Sequence, residues 1–160
     1  MKNVVFIGIA LTLFACTEQT SNNQRRIDSL QIHLADTYKP GFGEFMSSIQ
    51  IHHAKLWFAG KNQNWQLADF EIKEIKESLD DIKKYCTDRP EIKEIGMIDL
   101  PLDSLTNAIN QRGPAQFESS YMLLTNACNK CHAATDHAFN VIKVPDNPPF
   151  SNQDFGNSVK

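Results

Sequence analysis

Apolar residues at alternating steps of three and four run through two long stretches of this chain. From Trp65 the set continues through Ala68, Ile72, Ile75, Leu79 and Ile82 to Cys86, and near the carboxyl end Phe117, Tyr121, Leu124, Cys128 and Cys131 repeat the spacing. Such a pattern returns to one face of a helix at every turn and leaves that face in need of a packed neighbour. It does not suit a strand, where successive residues change sides. Shorter versions mark Ile27 to Tyr38 (Ile27, Leu30, Leu34, Tyr38), Phe42 to about Ala59 (Phe42, Phe45, Met46, Ile49, Leu56, Trp57), and Pro101 or Leu102 to Arg112 (Leu102, Leu105, Ile109). Pro40-Gly41, Gly60 and Gly113-Pro114 read as the breaks, with Pro114 suited to a first helical turn. Thr87 to Leu100, which holds Pro90 and Gly96, reads as a long connection with one short helical turn. The prediction is an all-α domain, a four-helix bundle preceded by one extra helix. From Val144 onward three prolines, then Phe150 and Phe155, predict an irregular tail whose aromatics dock on the bundle or beside its cofactor.

The amino end places the chain in the cell. Met1-Lys2-Asn3 is a short basic start, and the apolar run from Val4 to Phe14 closes on Leu13-Phe14-Ala15-Cys16. This is the pattern of a secretory signal, too short to span a bilayer stably. Its ending resembles a bacterial lipobox, which implies Cys16 as the lipid-bearing first residue of the mature chain; Phe14 departs from the small or aliphatic residue usual there. An ordinary signal peptide cut nearby is the alternative. By the same resemblance Thr17 implies the outer membrane, with the domain on the periplasmic side of a lipid anchor. The expected organisation is a signal over 1–16, a tether over 17–26, a helical domain over 27–143 and a tail over 144–160. A net charge of −3 with both signs interspersed argues against nucleic acid as a partner.

Cys128-Asn129-Lys130-Cys131-His132 carries the chemistry. On a helix, positions i and i+3 share a face and i+4 lies beside them, so two thiols and an imidazole address one patch. Covalent haem attachment needs that: the sulfurs add to the vinyl groups at the porphyrin edge, and the histidine nitrogen binds iron. A thioredoxin-like dithiol uses the same cysteines, but such a pair opens a helix after a strand, and no strand precedes it here. Zinc takes four ligands, usually from two clusters, and the only other thiol besides Cys16 is Cys86. A structural disulfide in an exported protein is the third alternative. Cys86 ends an apolar stripe and is expected to be a buried small hydrophobe. The run Glu71, Glu74, Glu77, Asp80 and Asp81 is expected to be a solvated helix face. Asn129 and Lys130 are expected to face solvent, as are His33 and His137, while Trp57 and Trp65 pack the core or the cofactor face. No nucleophile triad, phosphate-binding loop or carboxylate pair is recognisable, so the chain is not read as an enzyme.

Four bundle helices with the attachment motif late in the last one resemble the cytochromes c-prime, over roughly residues 42–139. The resemblance implies one covalent haem c on Cys128 and Cys131, with His132 as the proximal iron ligand. It also implies that the first bundle helix faces the other side of the iron, and it admits a homodimer. That helix carries two adjacent histidines where the family usually offers an aliphatic residue or methionine. With Ile49 at the middle of the apolar arc, the ~100° helical step sets His53 about 40° from centre, and His52 and Met46 each about 60°. His53 is the first expectation for a distal ligand, His52 the second and Met46 the third; a core histidine hydrogen-bonded to the protein is the alternative for either imidazole. With two axial ligands the protein would carry single electrons between redox proteins. With a five-coordinate iron it would bind nitric oxide or carbon monoxide, for sensing or scavenging.

Overall fold

The computed structural model describes residues 19–34 and 40–156. The signal segment, Cys16, Thr17 and Tyr38 lie outside the described residues. The chain divides into two compact units, Met1–Lys39 and Pro40–Lys160. In the first, residues 19–34 form helix α1, so the helix begins within the stretch expected to be a tether. Its side chains are all exposed, including His33, as expected, and the stripe residues Ile27, Leu30 and Leu34.

The second unit contains α2 (Phe42–Lys61), α3 (Trp65–Tyr85), α4 (Asp99–Asn110) and α5 (Pro114–Ala134). Two 3-10 turns, Pro90–Lys93 and Ile95–Ile98, fill the connection between α3 and α4, where sequence reading expected a single turn. The described residues are all-helical in their regular structure, with no strand. None of these helices is long and apolar enough to cross a membrane.

The predicted stripes form the core. Ala68, Ile72, Ile75, Leu79 and Ile82 of α3 are buried against Leu102, Leu105 and Ile109 of α4 and Phe117, Tyr121 and Leu124 of α5. α2 packs on α3, α3 on α4, α4 on α5, and α5 returns to α2, so the four helices close a ring. Cys86 caps α3 and is buried, as expected of a small hydrophobe, with its thiol facing Pro40 O at 4.0 Å. Trp57 and Trp65 both lie against Phe117, with ring centroids 6.3 and 6.0 Å away.

Three helix ends share one geometry, and at two of them it differs from the expected glycine break. Gly60 was the expected stop for α2, but it lies inside the helix, and a Cβ there would sit 2.0 Å from Phe117 Cζ. The glycine is needed for the close approach of an aromatic ring. The chain reverses instead at Gln63, with φ 56°, and Asn64 N–H bonds Ala59 O at 2.9 Å. α4 ends the same way at Arg112 (Gly113 N–H to Ala108 O, 3.1 Å), and α5 at Asp136 (His137 N–H to His132 O, 2.7 Å). Each is a left-handed cap that satisfies an orphan carbonyl, made without glycine at the left-handed position.

Candidate functional site

The last of these caps shapes the carboxyl end of α5. After Asp136 (φ 61°) the chain runs back beside the helix it has just left. It brings Asn140 O to His132 Nδ1 at 2.6 Å. A carbonyl only accepts, so Nδ1 carries the proton and the lone pair sits on Nε2. That nitrogen has no protein partner among the described residues. This is the tautomer a metal-binding imidazole adopts when its other nitrogen donates to the backbone.

His132 lines a cavity of about 270 Å³ together with Cys128 and Cys131. The walls are largely apolar: Phe42, Met46 and Ile49 of α2, Ile75 and Leu79 of α3, Ile95 and Ile98 of the connection, and Leu124 of α5. Contact between α2 and α5 is sparser than between α2 and α3, and residues of both α2 and α5 line the cavity. Arg89 and Glu91 add a charged corner, joined by Nε to Oε2 at 3.2 Å and Nη2 to Oε1 at 2.6 Å. The guanidinium holds the Glu91 carboxyl below its usual range.

Both motif sulfurs are thiols. Burial first, and the neighbouring Cys131 second, push the Cys128 thiol up to about 11. Burial also raises Cys131, with Glu94 and Glu91 adding to it, and its thiol faces Glu94 O at 3.8 Å. A redox-active dithiol needs the opposite, an environment that lowers the pKa and exposes a thiolate. The two cysteines and His132 also do not gather into a three-ligand metal group; none exists among the described residues.

The candidates on α2 separate. His53 lines the cavity and is 4% exposed, but both its ring nitrogens are engaged by α5. Thr125 gives its own proton to Tyr121 O at 3.0 Å, so its oxygen must accept from His53 Nε2–H at 2.9 Å. Nδ1 then accepts from the Tyr121 hydroxyl at 2.9 Å, a proton shared with the His53 carbonyl at 2.8 Å. The His53 and Tyr121 rings stack at 4.4 Å. Desolvation lowers the His53 pKa to about 4, so the ring is neutral at physiological pH. His52 turns toward α3 and does not line the cavity; its Nδ1 meets Glu71 Oε2 at 2.6 Å. Met46 lines the cavity, and among the described residues its thioether has no hydrogen-bond partner. No family model, curated protein or solved structure matches this chain.

Three residues depart from the sequence expectation. Glu71 is not part of a solvated face: it is 0% exposed, with Lys55 Nζ 3.6 Å from the Oε1 that has no hydrogen bond. His137 is half-buried and lines the cavity, because the turn at Asp136 folds it back. Asn129 is half-buried and bonded to Ile142, whereas its neighbour Lys130 is exposed as expected. The helical wheel places these residues relative to their own helix and says nothing of a segment that doubles back. Asp136, of a residue type enriched in the left-handed region, was the one signal of that reversal. The tail docks as its aromatics suggested, with Phe155 buried against Phe58 at 5.7 Å and Lys55 Nζ 5.6 Å from the Phe150 ring centroid.

Proposed function

We propose that this chain is a c-type haem protein of the cell envelope, tethered through Cys16 on the periplasmic side and working in one-electron transfer between redox proteins. The observation that carries the reading is the joint presence at one cavity of Cys128, Cys131 and a His132 whose Nδ1–H is fixed on a backbone carbonyl. The apolar walls suit the chemistry of a porphyrin face, and a helical unit with the motif late in its last helix supports the resemblance to cytochromes c-prime. In this reading Cys128 and Cys131 would hold the porphyrin edge by thioethers, and His132 Nε2 would bind the iron. Arg89, already paired with Glu91, lines the cavity as a cation beside which an anionic porphyrin substituent would lie. Haem, when bound, supplies an iron that changes oxidation state by one electron. The chain's residues set its ligands, exclude water and leave the exposed surface to the partner.

Of the three α2 candidates, His53 has both nitrogens engaged and His52 turns to Glu71, so Met46 would be the one able to bind iron without giving up a protein hydrogen bond. The same observation favours a second reading, in which the sixth position stays open and takes nitric oxide or carbon monoxide. The deciding experiment is a mass and a visible spectrum of protein matured in a host that attaches haem c. One haem per chain, with a reduced spectrum indifferent to carbon monoxide, supports the carrier; a spectrum that shifts with the gas supports the binder. Colourless protein of polypeptide-plus-lipid mass ends both readings.

A further inference from the structure

Asn129 stands between the two motif cysteines, where either intervening residue would be expected to face water. Instead its side-chain amide pairs with a peptide unit of the returning segment. Nδ2–H donates to Ile142 O at 2.8 Å, and Ile142 N–H donates to Oδ1 at 2.8 Å. Asn129 and His132 are three residues apart on one face of α5. Asn140 and Ile142 are two apart on the return. The Asn129–Ile142 pair and the His132–Asn140 bond are therefore successive rungs of one ladder.

We propose that Asn129 is a positioning residue for His132, holding the Asn140 carbonyl where it fixes the imidazole's tautomer and orientation. Ile142 and Val144 are partly buried further along, but next to that carbonyl burial is slight. Phe139 and Val141, on either side of it, are 82% and 71% exposed, so burial does not hold this part of the segment. Below it the segment is tied at the cap, through His137 N–H to His132 O and Asn140 N–H to His137 O at 2.9 Å. Above it the Asn129 amide is the tie. Only a side chain with a donor and an acceptor together closes both bonds to one peptide unit. A held Nδ1–H makes Nε2 a stronger donor and stops the ring from turning, as outer-shell partners of metal-bound histidines do.

The consequence at iron rests on the haem reading, while the ladder itself does not, and the test separates them. In the full-length chain without haem, nitrogen NMR should find His132 as the Nδ1–H tautomer, should show that preference lost in Asn129→Leu, and should find it unchanged in Lys130→Ala. In the matured protein, Asn129→Leu should keep its covalent haem. It should lower the ferrous iron–histidine stretching frequency or, where the iron is six-coordinate, raise the midpoint potential, because a less anionic imidazole stabilises ferric iron less. Asn129→Asp, matched in shape and retaining the acceptor for Ile142 N–H, should fall between wild type and Asn129→Leu, which covers the case in which the leucine variant does not fold. Wild-type tautomer, frequency and potential in the folded Asn129 variants would overturn the proposal. A wild-type chain that takes no haem refutes the function reading, and the tautomer comparison then decides whether the ladder exists.

Discussion

His53 and His132 line the same cavity from two different helices, and their surroundings are opposite. His53 is buried, and both its nitrogens answer hydroxyls from α5, one from Thr125 and one from Tyr121. His132 is half-buried, gives one nitrogen to a backbone carbonyl and leaves the other open. Whether a histidine can serve as a ligand thus depends on how many of its two nitrogens the protein has already engaged. Facing the cavity is not sufficient. The adjacent His52 adds a third arrangement, an imidazole turned toward a buried carboxylate.

The largest test of this contrast rests on the proposed haem and replaces each imidazole in protein matured with it. His132→Ala should abolish the iron–histidine signature while mass still reports covalent haem, and His53→Asn should preserve that signature. Loss of it in His53→Asn alone would invert the assignment. Next in size is the carboxylate that holds His52. Glu71→Ala takes the buried carboxylate from Lys55 and leaves His52 only Glu74, 3.9 Å away, and should cost about 3 kcal/mol in denaturant unfolding; a cost below about 1 kcal/mol would mean that Glu71 is hydrated in solution.

The third test is pH dependence. The folded-state pKa of His53 is lowered to about 4 from 6.5, so between those values the unfolded chain binds a proton that the native chain does not. Stability should therefore fall as the pH drops from about 6.5 to 4, by about 3 kcal/mol at ~1.4 kcal/mol per unit. That loss should flatten in His53→Asn, and an unchanged slope would assign it to other groups. The smallest effect is expected from Thr125→Val, which strips His53 Nε2–H of its acceptor at about 1–3 kcal/mol. Thr125→Ser should recover most of it. If the valine variant were as stable as wild type, the hydroxyl would not be what holds His53.

Much of the fold was legible because burial follows helical spacing. The stripes on α3, α4 and α5 are the core, and Pro114 starts α5 where its missing N–H does no harm. The helix ends were less legible. Gly60 and Gly113 looked like stops, yet the left-handed positions belong to Gln63 and Arg112. At Gly60 the absence of a side chain serves the Phe117 ring, a contact 57 residues away in sequence. Glu71 departs from its pattern for a related reason. Its sequence neighbours are charged, and only the approach of α2, bringing His52 and Lys55, makes a buried carboxylate tolerable.

The sequence by itself determined the helices, their apolar faces, and the placing of Cys128, Cys131 and His132 along one helix, because these follow from periodicity within a single segment. Tertiary structure decided which nitrogen of each histidine is open, that Asn129 grips the returning chain, and that Glu71 is enclosed. Those properties depend on hydrogen bonds between segments distant in sequence, and a one-dimensional pattern carries no record of the partner that completes them.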